Sequence, residues 1–275
     1  MRFPLTLTTS MVGYMAGKAL RREKRFPLVL MLEPLHACNL TCTGCGRIRE
    51  YESTIKQKLS VEECLQSVTK QEYSNIELVV IDDASTDNSI EIAEKWIRNA
   101  SSRFDRVQLI SHPVNRGLAF TRNTGIARAS SSLVFTLDAD NALYPMAISK
   151  LTAAINETGY AAAYCQMELF GDAKGIGTAD IFRKAFFRRG NYVDAMALFK
   201  RQVLIDLGGY EPMGGWEDFD MWCKLLDAGL SAIFLPMILC RYRVHKSSML
   251  QTETKRDVVE VMTQMCIRHP WLSFH

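Results

Sequence analysis

Two patterns of apolar and polar positions divide the chain near residue 60. Before that point, "FPLVLMLEPL" (26–35) is a continuous apolar run between prolines, typical of a buried strand. From Ile76 onward, short β-rich runs such as "IELVVID" and "RVQLISH" alternate with helical patterns of about a dozen residues, such as "SIEIAEKWIRNA". This alternation predicts crossover units on a mainly parallel sheet with helices on both faces, which is an α/β fold.

Length and composition limit the class of protein. The chain has 275 residues and 48% hydrophobic content, enough for one large or two modest domains. Its 33 basic and 30 acidic residues give a net charge of +3, too small and too dispersed to indicate nucleic acid as a partner. No window reaches the roughly 18 to 20 apolar residues of a spanning helix, and the N-terminus lacks a signal-peptide cleavage site. These features predict a cytoplasmic protein.

The first 25 residues have the pattern of a short amphipathic helix with a basic end, "KALRREKR" at 18–25. We favour a solvated terminal helix. The alternative is peripheral attachment to the inner face of a membrane, because apolar side chains can enter the lipid interface while Lys and Arg meet anionic head groups.

Acidic residues gather where two predicted strands end. Asp82 and Asp83 end one strand, and Asp138 and Asp140 end another. Ligands of open α/β sheets bind at the carboxyl ends of strands. Either pair alone fits acidic turn residues that cap the next helix. Both pairs in one sheet, with no cation adjacent in the sequence, favour a site that holds a hydrogen-bonding ligand or a divalent cation.

Six segments of the chain resemble, in order, the motifs of family 2 glycosyltransferases, which have the GT-A fold. The resemblance covers about residues 62–250 and implies a Rossmann-like α/β domain. It also implies an inverting transferase that moves a sugar from a nucleotide-sugar donor to a hydroxyl of a saccharide or lipid-linked acceptor. The segments are "IELVVIDDASTDNS", "NRGLAFTRNTG", "LVFTLDADN", "AMALFKRQVLIDLGGYEP", "GWEDFDMWCKLLDAG" and "YRVHKSSM".

The resemblance also implies roles for residues on the donor side. Asp83, with Asp82 beside it, would contact the base or ribose, and Arg122 and Asn123 would lie near the nucleotide and diphosphate. Carboxylates of the D-x-D motif hold Mn²⁺ or Mg²⁺ against the diphosphate, because hard cations prefer oxygen ligands. The motif corresponds to Asp138, which would also contact the donor ribose, and to Asp140, the preferred direct ligand. His245 matches a histidine that completes the metal shell in some relatives; an ordinary surface histidine is the alternative.

"GWEDFDMW" matches the acidic motif that opens a helix near the acceptor. The resemblance makes Asp218 the general base and places Glu217 on the donor side, and Trp216 follows a mobile "GG" turn and would stack on a sugar face. Glu217 and Asp218 are also first-turn acids that favour the helix macrodipole. Both interpretations can hold, since a helix N-terminus is a good place to orient a carboxylate.

Three of the eight cysteines, Cys38, Cys42 and Cys45, have the C-x3-C-x2-C spacing of a [4Fe-4S] cluster. About residues 1–64 resemble the start of the radical S-adenosylmethionine enzyme of hopanoid synthesis that joins an adenosyl group to hopene. The further strands and the glycine-rich turn of such an enzyme do not follow. We therefore expect any cluster to be non-functional, and the other five cysteines to be isolated core residues.

The two resemblances together predict a fusion. We expect a radical-enzyme-like fragment at 1–60, a transferase domain at 61–252 and a C-terminal helix or tail at 253–275. The usual first strand of the family is missing, and the run at 26–35 has the length and hydrophobicity to replace it. Three hypotheses follow, in this order: a metal-dependent glycosyltransferase, a fusion that keeps the fold without turnover, and a radical iron-sulfur enzyme.

Overall fold

A computed structural model of the chain describes residues 61–85, 88–188, 190–244 and 258–274, all within one compact unit. The helices are α1 (Val61–Thr69), α2 (Ser89–Ala100), α3 (Leu118–Arg128), α4 (Ala147–Thr158), α5 (Lys184–Phe187), α6 (Arg201–Asp206), α7 (Glu217–Asp227) and α8 (Val258–Arg268). The strands are β1 (Glu77–Asp82), β2 (Arg106–Ser111), β3 (Leu133–Phe135), β4 (Ala142–Leu143), β5 (Ala162–Gly171), β6 (Gly175–Ile176), β7 (Ala197–Lys200) and β8 (Ala232–Val244).

Helices α2 and α4 show why the apolar pattern predicts helices. In α4, Ala147, Leu151 and Ile155 are buried at four-residue spacing, so one stripe faces the core. The helix ends at Gly159, whose φ of 70° is left-handed and whose N–H bonds to the carbonyl of Ile155 at 2.8 Å. Helix α2 occupies the predicted segment "SIEIAEKWIRNA" from its first residue to its last.

The strands form a parallel pair, β1–β2, and a six-stranded sheet in the order β3-β7-β5-β8-β4, with β6 paired to β5. Among the described strands of the larger sheet, β5 and β8 are the only parallel pair, so the expectation of a mainly parallel sheet is wrong and the sheet is mixed. The physical reason is local for β5 and β6: a short turn joins them, and only antiparallel strands accept such a connection. The α/β layering itself is as predicted.

Two large apolar clusters lie on the larger sheet. One packs α7 against β5 and β7, where the ring of Trp222 lies 4.7 Å from that of Phe199. The other packs α4 against β5 and β8. A smaller cluster joins α1 and α2 through Val68, Trp96 and Phe104. The first of these clusters holds α7, and the acidic residues at its start, against the sheet.

The cysteines of the described part are free thiols. Cys64, Cys165, Cys223 and Cys240 are buried, as expected of core residues, and Cys266 is partly buried. The expectation that they are isolated fails for one pair, because the sulfurs of Cys165 and Cys240 lie 3.4 Å apart.

Several predictions lie outside the described residues. They concern the strand at 26–35, the amphipathic segment at 1–25, the cysteines Cys38, Cys42 and Cys45, and His245. Their structure is not described, and they stay predictions. Among the helices that are described, none is both long enough and apolar enough to cross a membrane.

Candidate active site

Asp83, just after β1, anchors the loop ahead of α3. Its carboxylate accepts hydrogen bonds from the backbone N–H of Arg116 (3.0 Å) and Gly117 (2.8 Å), and His112 Nδ1 lies 2.6 Å from it. Burial alone raises the pKa of Asp83, but these hydrogen bonds outweigh it and hold the pKa below its usual value. Asp83 is therefore ionised and fixes this loop at the predicted nucleoside end of the site. Asp82, beside it, accepts a longer bond from the N–H of Ser85 (3.4 Å).

Ala84, the next residue, has a φ of 61°, which is left-handed and strained for a side chain other than glycine. A left-handed conformation costs an L-residue about 1–2 kcal/mol, and glycine costs about 0.4–1 kcal/mol in extra unfolded-state freedom. Ala84→Gly is therefore expected to stabilise the protein by about 0.5–1 kcal/mol, or roughly 1–4 °C in Tm. Thermal denaturation measures this. Ala129→Gly is the control, because Ala129 has an ordinary φ of −64° and should lose stability. An Ala84→Gly variant that melts lower would contradict the assignment of strain.

Helix α3 carries Arg122 into the site. Its guanidinium lies 3.1 Å from Asp138 Oδ1 and 5.2 Å from the ring centre of Tyr210, and the side chain is 9% exposed. Basic side chains from elsewhere in the chain lie beside both acidic pairs: Arg122 pairs with Asp138, and the His112 ring contacts Asp83. Arg122 and His112 are both distant in sequence from the acids that they contact. They reach these acids because α3 and β2 pack against the strand ends.

Asn123, the neighbour of Arg122, binds the backbone of Tyr210 with both ends of its amide. Its Nδ2 donates to the Tyr210 carbonyl (2.7 Å), and its Oδ1 accepts from the Tyr210 N–H (2.8 Å). A Cβ on Gly209 would lie only 2.5 Å from that Oδ1, so glycine is required there. The structure thus places Asn123 under the loop that precedes α7 and gives it a structural contact.

The turn from Asp138 to Asp140 is held by its backbone. The Asp138 carbonyl accepts from the N–H of Asn141 (3.0 Å) and from the Cys64 thiol (3.6 Å), and the Asp140 carbonyl accepts from Arg243 Nε (3.2 Å). Burial, together with the nearby charges of Asp140 and Asp138, raises the pKa of Cys64 to about 12. Both carboxylates are therefore close enough to Cys64 for their charges to disfavour its thiolate.

The donor set here fits a hard divalent cation only in part. Among the described residues, no group of three or more His, Cys, Asp or Glu could hold a metal ion. Mg²⁺, however, is usually bound through one or two carboxylates together with substrate phosphates and waters. Asp138 and Asp140 meet that requirement, and His245, the predicted third ligand, lies outside the described residues.

The start of α7 holds the predicted base. Asp218 accepts hydrogen bonds from Asn191 Nδ2 (2.9 Å) and from the Phe219 N–H (2.8 Å). Burial raises the pKa of Asp218 to about 6, although Arg122, the Phe219 N–H and Asn191 act in the opposite direction. The carboxylate is thus oriented by two donors and is more basic than an ordinary aspartate.

Glu217 and Trp216 flank this base, and both are packed into the protein. Glu217 is 5% exposed, and its Oε1 accepts from the Met213 N–H (3.2 Å). The Trp216 ring lies 5.5 Å from Phe219 and 5.6 Å from Phe274 and is partly buried. Glu217 therefore stabilises the turn ahead of α7 by this hydrogen bond. Contact of Glu217 or Trp216 with the donor stays a prediction.

Asp194 is a site residue that the sequence did not suggest. Burial, and then the charges of Asp138 and Asp218, raise its pKa to about 7. The only usable signal was a lone acidic residue just before the apolar run "AMALF". Arg122 pairs with Asp138, and the charges of Asp138 and Asp218 act on both Arg122 and Asp194, whereas Asp82 and Asp83 lie at the end of β1.

Comparison with solved structures gives the class of fold. The chain aligns with S. aureus TarS 1-349 in complex with UDP-GlcNAc at a TM-score of 0.62 and 18% identity, covering 76% of this chain and 62% of that one. It aligns with the mannosyltransferase PcManGT from Pyrobaculum calidifontis, in complex with GDP-Man and Mn²⁺, at a TM-score of 0.58 and 22% identity, covering 75% and 60%. These likenesses confirm the GT-A fold.

The family follows from the sequence. A model described as Glycosyl transferase family 2 matches residues 54–208, more than half of the chain, so the chain belongs to the family 2 glycosyltransferases. Putative glycosyltransferase EpsE of Bacillus subtilis is 25% identical over 197 residues, 69% of each chain. The uncharacterized glycosyltransferase YibD of Escherichia coli is 33% identical over 105 residues, but the match spans only 38% of this chain and 29% of YibD.

Proposed function

We propose that the chain transfers a sugar from a nucleotide-sugar donor to an acceptor hydroxyl with inversion at the anomeric carbon, and that it uses Mn²⁺ or Mg²⁺ held by Asp138 and Asp140. The cluster of Asp138, Asp194 and Asp218 around Arg122 is the observation that carries this proposal. It places Asp138, a carboxylate of the proposed cation site, near Asp218, a carboxylate of raised pKa at the start of a helix. The names of similar proteins, which include complexes with UDP-GlcNAc and with GDP-Man and Mn²⁺, support the donor class.

The donor side is built from the ends of β1 and β3 and from α3. Asp82 and Asp83 lie where a nucleoside would meet the loop that Asp83 anchors. Arg122 and the Asp138–Asp140 turn lie where the diphosphate would bind. A bound divalent cation would neutralise charge on the leaving nucleoside diphosphate. Arg122 carries a fixed positive charge beside the same carboxylate, so it can orient Asp138 before the donor arrives.

The acceptor side is built from the start of α7. In an inverting transfer, the acceptor oxygen bonds to the anomeric carbon as the bond to the diphosphate oxygen breaks, and the hydroxyl proton must leave to a base on the acceptor side. Asp218 can take that proton, because its pKa of about 6 leaves it mainly ionised at neutral pH yet more basic than an ordinary aspartate. Asn191 Nδ2 and the Phe219 N–H hold its two oxygens in place.

The acceptor is a saccharide or a lipid-linked saccharide. One relative, the Escherichia coli protein WfgD, is named as a glucosyltransferase that acts on an α-D-GlcNAc-diphosphoundecaprenol, and it is 24% identical over 200 residues, 71% of this chain and 76% of WfgD. A lipid-linked acceptor would be met at a membrane surface, and this would favour the alternative interpretation of residues 1–25, peripheral attachment to the membrane.

The direct test is a thermal-shift screen of nucleoside diphosphates with and without Mn²⁺. A ligand present at about 100 times its Kd stabilises a protein by about 2.7 kcal/mol, or roughly 5–11 °C in Tm here. We expect one nucleotide to give such a shift in the presence of Mn²⁺, and the matching nucleotide-sugars then to release that nucleotide when an acceptor is added. Binding without transfer would identify a fusion that keeps the fold but not the activity. No shift with any nucleotide at millimolar concentration would overturn the proposal.

A further inference from the structure

The C-terminal segment of the described chain, residues 258–274, packs along α7 and the loop before it. We call this segment the C-terminal clamp. It contains α8 and the residues after it, and it contributes Val261, Met265 and Leu272 to the same apolar cluster as Trp222 of α7. The clamp therefore contacts the element that carries Asp218.

His269 is the buried centre of this contact. The residue is 3% exposed; Nδ1 lies 2.5 Å from Asp227 Oδ2, and Nε2 lies 3.2 Å from Asp220 Oδ1. Both carboxylates belong to α7. Only the protonated ring donates from both nitrogens, so only that form satisfies both carboxylates at once. Burial lowers the pKa of His269, but the two aspartates outweigh burial and raise it.

Other charged groups complete the network around His269. Asp220, which is fully buried, also lies 3.2 Å from Lys224 and 3.3 Å from Arg268. Glu211, in the loop before α7, lies 2.7 Å from Lys224 and 2.8 Å from Arg268. The clamp thus holds both the loop and the helix through ion pairs.

Asp227 has two further partners at the other end of the network. It accepts from Trp271 Nε1 at 2.6 Å, and Lys184 lies 3.8 Å away. Three cations, Lys184, Lys224 and Arg268, therefore face the three carboxylates of the network together with His269.

The clamp also touches the turn directly ahead of Asp218. The Phe274 ring lies 5.6 Å from Trp216 and 6.1 Å from Phe219. A Cβ on Gly214 would lie 3.0 Å from Val261 Cγ2. Residues on both sides of Asp218 are therefore in contact with the clamp.

We propose that His269 is a positioning residue for sugar transfer: by bridging Asp220 and Asp227, it ties the C-terminal clamp to α7 and so fixes the orientation of Asp218. The proposal rests on the proposed function, because it takes Asp218 as the base; His269 itself touches no reacting atom. The interaction of His269 with the two aspartates is at full strength below the ordinary histidine pKa of 6.5. It is lost as pH rises through the raised pKa of His269 in the folded protein.

The test is amide hydrogen exchange of the full chain, which needs no donor. His269→Gln removes one of the two ring contacts and the positive charge. We expect exchange in residues 211–227 to become about tenfold faster, since hydrogen bonds to charged groups are among the stronger ones, while exchange in α3 is unchanged. Ile267→Ala is the matched control, because Ile267 lies on the same helix and is 73% exposed. Unchanged exchange in 211–227 would overturn the clamp.

A second comparison uses the parent protein alone, so it stands even if the variant does not fold. After correction for intrinsic exchange, protection of residues 211–227 should fall as pH rises through the pKa of His269 measured by NMR on the same protein, and protection that does not change through that pKa would overturn the role of His269. Once a donor is known, His269→Gln should lower kcat about tenfold with little change in donor KM. Faster exchange with an unchanged kcat would refute positioning. If Asp218→Asn kept full activity, the assignment of the base would fail, and the exchange result would stand by itself.

Discussion

Replacing Asp218 by asparagine is expected to lower the rate of transfer about 10²- to 10⁴-fold, the usual loss when a positioned general base is removed. Asparagine keeps the size of the side chain, and its one amide oxygen can still accept from the Phe219 N–H, but it loses the hydrogen bond from Asn191 and cannot take the acceptor proton. Donor affinity should barely change, because the lost interaction belongs to the transition state. Steady-state kinetics and calorimetric donor binding measure the two quantities.

The same variant should gain stability at alkaline pH. Burial raises the pKa of Asp218 to about 6, so the protonated form is favoured on folding, and this contribution is lost as pH rises through that value. Above it the ionised carboxylate is a cost that asparagine removes, roughly 1 kcal/mol or 2–4 °C in Tm. This gain is measured relative to the difference near pH 4, where Asp218 is protonated and the lost hydrogen bond from Asn191 is the remaining change.

The pH profile and a control complete this prediction. The parent enzyme should lose activity as pH falls below about 6, because Asp218 becomes protonated. Asp206→Asn, at an exposed position at the end of α6, should change neither rate nor Tm. If Asp218→Asn transferred sugar at the parent rate, or lost donor binding together with rate, Asp218 would not be the base.

The sequence predicts what depends on neighbouring residues. Helix α2 matches its predicted segment, and α7 begins at the acidic motif, because an apolar stripe and first-turn acids are local signals. The direction of strand pairing is not local. Strand β7 pairs antiparallel with both β3 and β5, and no residue of those short apolar runs specifies that choice. The prediction of a mainly parallel sheet failed for this reason.

The residues of the site also differ in whether local sequence signals locate them. The strand-end acids and Asp218 could be located from the sequence, because each follows or begins an element that the pattern predicts. Their charge partners could not. Arg122 is 16 residues from Asp138, His112 is 29 residues from Asp83, and His269 is 49 residues from Asp220. Each pair forms only when two elements pack together, so the fold had to be known before the electrostatics of the site could be described.

The two carboxylates of the Asp138–Asp140 turn differ in their relation to Arg122. Asp138 pairs with the Arg122 guanidinium, whose side chain is 9% exposed, and burial lowers the pKa of Arg122 less than this pair raises it. Asp138→Ala would therefore leave a buried cation without its partner and should destabilise the protein on the order of 1 to 3 kcal/mol, as well as weakening metal binding. Asp140→Ala makes no such change to Arg122 and is the cleaner test of the metal.

Asp140→Ala is expected to abolish the effect of Mn²⁺ on donor binding. The change removes a negatively charged oxygen ligand and leaves Asp138, already paired with Arg122, as the one carboxylate of this turn against the diphosphate. Calorimetry with the nucleoside diphosphate found by thermal shift should show Mn²⁺ tightening binding at least about tenfold, or 1.4 kcal/mol, in the parent and by less than about twofold in the variant. Asp105→Ala, which removes an exposed carboxylate ahead of β2, should keep the full effect of Mn²⁺. Metal-dependent binding that is unchanged in Asp140→Ala would show that this turn does not hold the cation, and the proposed use of a divalent metal at Asp138 and Asp140 would be wrong.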